Sequence, residues 1–406
     1  MAQGTVGVNI LSNVVQMGGS SVSAFGDLIT AELTPIIQLD FVYGINTQTG
    51  TSTTANSATV DTNASRLRLQ SGTNSAGSAI FQSQRIARYR AGEGMIARFT
   101  AVWTTSAASS TQIVGMGNAS LGYFFGFNGT AFGVSIRNAG SDSWTAQTAW
   151  NGDKCDGTGA SGFNWNKTLG NVMQIRYPYL GYGDITFWVE NPVGGAWILC
   201  HTIQYANSSA SVQLSNPSFP FYAQSLNAGS TTNLIMYVGS VGVFISGQRE
   251  FLGAQWAIDS LKNTITAETN LINIRNCTTY NTVTNTGVMR LRSLSWATDN
   301  GNGLATIRLK KGVTIGGSPS FTTISGTTGD AGVTITSGNS IASYDVAGTG
   351  TTGTTFYNAC AARNSNFAVD LTPLRLFINP AETLTITAFS AASASIQVAI
   401  NWNEDV

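Results

Sequence analysis

Charge is scarce in this chain. Only 10% of its 406 residues are Asp, Glu, Lys or Arg, against ~25% in an ordinary soluble protein. Twenty basic and twenty acidic residues cancel, and no basic run is present. There is thus no electrostatic case for nucleic acid as a partner. Histidine occurs once, as His201, which excludes a multi-histidine metal site. The four cysteines, Cys155, Cys200, Cys277 and Cys360, are far apart and form no CxxC. That spacing excludes a zinc or redox motif and leaves one or two disulfides open. The first twenty residues, MAQGTVGVNILSNVVQMGGS, lack a basic stretch ahead of a long apolar run, so neither a secretory signal nor membrane insertion is expected. Windows with apolar residues at i, i+3, i+4 and i+7 are missing, which argues against long helices. Phosphate-binding loops, nucleotide fingerprints and metalloprotease helices are missing too, so no cofactor is expected. No repeat of about 20–50 residues marks a solenoid or propeller.

What the chain does contain is strand material. Short β-branched and aromatic runs alternate with Gly, Asn, Ser and Thr clusters throughout, the pattern of sandwiches and jelly rolls. In ASIQVAINW, Ile396, Val398, Ile400 and Trp402 share one face and Gln397, Ala399 and Asn401 the other, as in a half-buried antiparallel strand. Hydrophobic residues make up 42% of the chain, enough for two cores. The expected organisation is an all-β chain with an extended N-terminal arm over residues 1–80, a β-sandwich over 81–262 and a second, C-terminal sandwich over 263–406. The arm holds one apolar segment, Leu28 to Tyr43, broken by Pro35, and is expected to anchor the chain; deleting residues 1–45 is expected to leave both sandwiches folded but to prevent incorporation into particles or stable oligomers. EFLGAQWAIDSLKNTITAETN is expected to cross between the sandwiches, and the Gly/Ser/Thr-rich tract 312–355 to form surface loops or short outer strands.

Four clusters carry candidate chemistry. DITFWVE reads as a strand with Asp184, Thr186, Trp188 and Glu190 on one face and Ile185, Phe187 and Val189 on the core face. Six residues of strand separate the two carboxylates by roughly 20 Å, too far for a glycosidase pair at about 5–9.5 Å. His201 in GAWILCHTIQY falls by alternation on the face of Trp197, Leu199, Ile203 and Tyr205. It reads as a hydrogen-bonded core residue, since no Gly-x-Ser-x-Gly turn supports a triad. In NGDKCDGTGASG, Asp153 and Asp156 have the oxygen donors calcium takes, but Asn164 stands where an EF-hand needs glutamate. A turn built on Asp and Gly is the reading preferred there, with calcium left open. Arg85, Arg88, Arg90 and Arg98 crowd around Glu93; they suit subunit contacts or, alternatively, phosphate or sialic-acid-like anions. Trp103, Trp144, Trp150 and Trp165 could stack on sugars or fill cores and interfaces. None of these residues is expected to be catalytic, cofactor-binding or metal-binding.

Three segments in this order, SAFGDLITAELTPIIQLDFVYG, SQRIARYRAGEGMIARFTAVW and AWNGDKCDGTGASGFNWNKTLGNVMQIRYPYLGYGDITFWVENPVGGAWILCHTIQYAN, resemble virion-associated structural proteins of tailed bacteriophages and large aquatic viruses. LINIRNCTTYNT, GVMRLRSLSWATD and VAINWNEDV extend the resemblance to the C-terminus. It implies a concanavalin-like first sandwich, a C-terminal jelly roll and no catalytic residues. The expected function is that of a non-enzymatic virion structural protein, in a fibre, spike, capsid decoration or tail, assembled in the host cytoplasm. Its expected partners are other virion proteins, further copies of itself (a trimer by the resemblance) and a host surface glycan. The alternatives are a carbohydrate- or receptor-binding tail protein and a polysaccharide depolymerase.

Overall fold

The computed structural model describes residues 32–247, 253–280, 282–299, 304–325, 339–361 and 365–405. The chain is all-β and divides into two units, residues 1–249 and 250–406, each built from antiparallel sheets. Among the described residues the helical turns are Gln147–Ala149 and Thr372–Leu374, three residues each.

Strands of the first unit are β1 (Leu33–Asp40), β2 (Gly50–Ala55), β3 (Thr59–Asn63), β4 (Arg66–Gln70), β5 (Ser78–Ala87), β6 (Met95–Trp103), β7 (Ser110–Gly117) and β8 (Gly122–Asn128). They continue with β9 (Ala131–Asn138), β10 (Ser141–Ala146), β11 (Asn171–Tyr177), β12 (Ile185–Glu190), β13 (Trp197–Ile203), β14 (Phe219–Asn227) and β15 (Ile235–Ser246). One sheet of eight strands runs β13-β12-β11-β6-β15-β4-β3, with β1 paired to β15; the other, of seven, runs β10-β9-β8-β7-β14-β5-β2.

Strict alternation builds the space between these sheets. In β6, Met95, Ala97, Phe99, Ala101 and Trp103 are buried, while Ile96, Arg98, Thr100 and Val102 face outward and are half-buried. Rings fill the layer. Phe125 meets Phe187 edge-on at 5.2 Å and Trp165 at 5.7 Å, and Phe132 meets Trp103 at 5.2 Å and Trp165 at 5.1 Å. Edge-to-face geometry of this kind adds to the burial of the rings themselves. The long strand β15 pairs with β6 across a bulge between Val238 and Val241. The Thr100 hydroxyl accepts the Gly239 and Ser240 N–H groups there. A side chain at Gly239 would begin 2.7 Å from that hydroxyl, so glycine is what the bulge admits.

The arm expected over residues 1–80 is, from Leu33 on, part of this sandwich. β1 pairs with β15 from Leu33↔Ser246 to Asp40↔Ser240. Ile36, Ile37, Leu39 and Phe41 are buried in its core, and β2 to β5 lie within the two sheets. Residues 1–31 lie outside the described residues. Ile36, Ile37, Leu39 and Phe41 are therefore buried within their own unit, while Val42 and Tyr43 stay exposed, and deleting residues 1–45 removes a strand of the sandwich.

The second unit begins earlier than position 263. Gln255–Ile265, expected as a crossing segment, is a strand paired with the C-terminal strand Ala394–Asp405, Trp256 opposite Trp402 and Ile258 opposite Ile400. These two strands with Val288–Thr298, Asn366–Asp370 and Phe377–Ile378 form a five-stranded sheet. Six strands form the other: Thr322–Ser325, Asn339–Asp345, Thr269–Asn276, Thr383–Ser390, Ala305–Lys311 and Thr354–Ala361. Ile396, Val398, Ile400 and Trp402 are all buried, on one face as the alternation requires. Within the Gly/Ser/Thr tract, Asn339–Asp345 is not an outer strand: it pairs with Thr269–Asn276 and places Ile341 and Ala342 in the core.

Glu404 is a buried carboxylate in this unit. It accepts hydrogen bonds from the Ser340 hydroxyl, the Ile341 N–H at 3.0 Å and the Trp402 indole N–H at 3.1 Å. Burial outweighs these donors and raises its pKa. A raised folded-state value means that the folded chain holds the proton more tightly than the unfolded chain. Its stabilising contribution is then complete below the ordinary glutamate range and is lost as pH rises through the folded value.

Two outcomes are expected. Deleting residues 1–45 removes four buried apolar side chains, each contributing about 1.5–3 kcal/mol, so the first unit should fail to give a cooperative thermal transition; a deletion ending at Glu32 keeps β1 and should retain one. For the second unit, denaturant titrations of wild type and Glu404→Gln at several pH values should show wild type gaining stability relative to the variant as pH falls from neutrality through the ordinary glutamate range.

Candidate functional site

The structure separates the clusters that the sequence suggests. Asp184 lies just ahead of β12 and accepts the Tyr205 N–H at 3.2 Å. Thr186, Trp188 and Glu190 share the outer, half-buried face of β12, with Ile185, Phe187 and Val189 fully buried behind them. The period-two reading of DITFWVE therefore holds.

His201 does not lie where alternation puts it. The pairing of β12 with β13 shifts between Phe187↔His201 and Trp188↔Leu199, leaving Cys200 as an extra residue. This bulge turns His201 from the face of Trp197 and Leu199 to the core side, where it is 7% exposed. Its Nδ1 accepts the Asn151 N–H at 3.2 Å, and burial lowers its pKa. It is the hydrogen-bonded core histidine that the sequence suggests, reached through a different face. All four cysteines are free; the sulfurs of Cys155 and Cys200 lie 3.7 Å apart in the core.

Asp153 spends both of its carboxylate oxygens on its own loop, and Asp156 one. One Asp153 oxygen accepts the Cys155 N–H and the other the Ser161 N–H, both at 2.8 Å. Asp156 Oδ1 accepts the N–H and hydroxyl of Thr158. Burial would raise the Asp153 pKa, but the Ser161 and Cys155 donors outweigh it and hold the carboxyl below its ordinary value. Gly159 packs so closely that a side chain there would overlap the Asp153 carboxylate. Among the described residues no group of three or more His, Cys, Asp or Glu side chains is placed to hold a metal.

Of the tryptophans singled out by sequence, Trp103, Trp150 and Trp165 are buried in the ring-filled core, so none of them meets a ligand. Trp144 packs beside Ile113, Phe124 and Tyr222 on the seven-stranded sheet. The arginine cluster is also divided, because Arg98 stands on β6.

Arg98 belongs to a row that no single sequence window contains. It is opposite Gly242 of β15 on one side and Gln174 of β11 on the other; Gln174 is in turn opposite Trp188 of β12. Arg98 Nε donates to Gln174 Oε1 at 2.8 Å. The Arg98 guanidinium carbon lies 5.7 Å from the ring centres of both Trp197 and Phe244, and that of Arg176 lies 4.7 Å from the Trp188 ring. These are cation–π distances. Gly242 makes the arrangement fit, because a side chain there would meet the Phe244 ring at 2.9 Å. Burial first, and the charge of Arg98 second, lower the pKa of Arg176.

The second unit offers another concave surface. On the outside of its five-stranded sheet, Ser295, Ala297, Asn366, Phe367, Gln397 and Ala399 line an open cavity of about 450 Å³. No acid or base lines it, and it presents no means of general acid–base chemistry.

The fold and the arginine–tryptophan row define an all-β protein of two antiparallel units, the first presenting a cationic aromatic face. No protein-family model and no curated protein matches the chain. Among solved structures it is similar to peanut lectin with a bound 9mer peptide, at 10% identity and a TM-score of 0.34, over 54% of this chain and 100% of that one. A legume lectin-like domain from Entamoeba histolytica matches at 12% identity and 0.32, over 50% and 95%. A glycoside hydrolase family protein from Mycobacterium thermorestibile matches at 10% and 0.35, over 52% and 100%. These are likenesses only; the description of the two units stands on the strand pairing given above.

Asp153→Ala leaves two backbone N–H groups without their acceptor and should destabilise the first unit by about 1–3 kcal/mol, read from denaturant unfolding. Calcium and a chelator should both leave the thermal midpoint of wild type unchanged, because both Asp153 oxygens are already engaged.

Proposed function

We propose that this chain is a non-catalytic structural protein of a virus particle, and that the outer face of the eight-stranded sheet in its first unit contacts a glycan on the host surface. The observation that carries the contact role is the row Arg98, Gln174 and Trp188, flanked by Arg176, Trp197 and Phe244. Aromatic rings beside fixed donors suit a sugar, whose C–H face stacks on a ring while its oxygens accept hydrogen bonds. The virion assignment rests on the resemblance of the chain's segments to virion-associated proteins. Self-association as a closed homo-oligomer, a trimer by that resemblance, belongs to the same reading.

A depolymerase role is disfavoured by spacing. Hydrolysis of a glycosidic bond needs two carboxyl groups about 5–9.5 Å apart. Asp184 and Glu190 are six residues apart along one strand, roughly 20 Å, and Asp184 is engaged with the Tyr205 backbone.

Two measurements test this reading. Immunogold labelling of particles of the encoding virus should place the chain on their surface; particles that lack it would remove the virion role. Purified protein incubated with a panel of host polysaccharides should bind at least one and release no reducing ends. Release of reducing ends that Glu190→Gln abolishes would replace this reading with a hydrolase.

A further inference from the structure

We infer that Arg98 and Arg176, with Gln174 between them and the tryptophans, form a seat for an acidic sugar, one whose ring carries a carboxylate or sulfate. This deepens the glycan-contact reading and rests on it.

Cross-strand pairing is the first argument. Two other arginines on the strands of this unit each stand opposite an aspartate and pair with it through two hydrogen bonds. Arg68 is opposite Asp61 and Arg137 opposite Asp142. Arg98 stands opposite Gln174 and Gly242, and Arg176 opposite Thr186 and Ile96. Ion pairs elsewhere in the chain include Arg68–Asp61, Arg137–Asp142, Arg308–Glu268, Lys310–Glu268 and Lys311–Glu382; Arg98 and Arg176 instead lie over aromatic rings. Neither cation is ion-paired among the described residues; the carboxylate on the same face, Glu190, stands two residues beyond Trp188 on β12 and opposite Trp197, without an ion pair to either arginine.

The second argument is which polar atoms remain unpaired. Gln174 is 0% exposed. Its oxygen accepts from Arg98, and its Nε2 has no hydrogen-bond partner among the described residues. Arg176 Nε is likewise buried without one. A buried donor left unpaired is destabilising. Both atoms are donors, so the missing partner is an acceptor. Arginine forks match the planar carboxylate and the oxygens of sulfate, and such charge-assisted bonds are about twice as strong as neutral ones.

The third argument is the wall around the charges. Trp188, Trp197 and Phe244 are half-buried on the same face. An isolated inorganic anion has no use for three rings, whereas a pyranose carrying the anion stacks on them. The face is built from strands β6, β11, β12, β13 and β15, so the backbone that carries the two arginines and the three rings is fixed before the ligand arrives, which lowers the entropy lost on binding; Gln174 Nε2 and Arg176 Nε are covered by neighbouring side chains, which must shift for an acceptor to reach them.

The test uses the full chain in titration calorimetry with four probes: oligogalacturonate, a sulfated galactan oligosaccharide, neutral oligogalactose of the same length, and inorganic sulfate. At least one acidic oligosaccharide should bind at least about 10-fold more tightly than the neutral one and weaken as salt is raised, as expected for a charge-assisted contact. Whichever acidic arm binds identifies the carboxylate or sulfate source. Arg176→Gln should lose about 10-fold or more of that affinity, and Arg176→Lys, which keeps the charge but not the fork, should lose part of it. Arg68→Gln, on the same sheet but outside the row, should leave binding unchanged. If Arg176→Gln does not fold, the lysine variant and the salt series carry the test. Equal affinity for acidic and neutral oligosaccharides, or full affinity in the Arg176 variants, overturns the acidic seat while leaving glycan contact intact. Inorganic sulfate binding as tightly as the acidic oligosaccharides overturns the sugar component. Absence of binding across the panel by folded wild type overturns the seat and counts against the glycan contact on which it rests.

Discussion

A strand has two sides, and what the core takes from one side dictates what appears on the other. Filling the first unit's core with Met95, Ala97, Phe99, Ala101 and Trp103 forces Ile96, Arg98, Thr100 and Val102 outward. Burying Met173, Ile175 and Tyr177 places Gln174 and Arg176 outward on the neighbouring strand, and burying Ile185, Phe187 and Val189 does the same for Thr186 and Trp188. Slipping β6 or β11 by one residue would bury an arginine and expose a ring, and slipping β12 would bury Glu190 and expose Phe187. The ring-packed interior therefore fixes the register, and the register brings Arg98, Gln174 and Trp188 into line. The outer row follows from core packing as much as from its own contacts.

Period two was legible wherever a strand is regular. DITFWVE and ASIQVAINW both show the faces that their alternation implies. It failed at a bulge: an extra residue at Cys200 carries His201 to the opposite side, and nothing local in GAWILCHTIQY marks that position. The N-terminal segment departs from its expectation for a different reason. Its apolar run is short and interrupted by Pro35, so it has no core of its own, yet it completes one as a strand on β15. Pro35 falls where the register shifts, between Pro35 and Ile37, an irregularity at which a missing N–H is tolerated. Whether such a segment is an arm or an edge strand is decided by a partner some two hundred residues away.

The arginine–tryptophan row was not legible for the same reason. Arg98 and Gln174 are 76 residues apart, and Trp188 joins them only through the β11–β12 register. In the sequence Arg98 belongs to a local arginine group, and of Trp103, Trp144, Trp150 and Trp165 three fill the core while Trp144 packs on the seven-stranded sheet. The usable signals are the alternation of MIARFTAVW, where Trp103 falls on the side of Phe99 and Arg98 on the other, and that of DITFWVE, which puts Trp188 on the face away from the core. Loop tryptophans such as Trp150 and Trp165 carry no comparable periodicity, and only packing reveals that they are interior.

Sparse charge changes the weight of those that remain. With twenty acidic and twenty basic residues in 406, the surface is mostly neutral polar groups, and the field near any point is set by few neighbours. Paired charges such as Arg137 and Asp142, 2.9 Å apart, largely cancel beyond their own contact. Arg98 and Arg176 add instead, on a face bordered by rings of low polarizing power compared with water. At physiological salt an exposed charge is felt over about 8 Å and a half-buried one is screened less. A two-cation row on an otherwise quiet surface can therefore select an anion locally without attracting polyanions along its whole length. A pair of cations confined to one row is poorly suited to tracking a nucleic-acid backbone, which requires cations distributed along a groove.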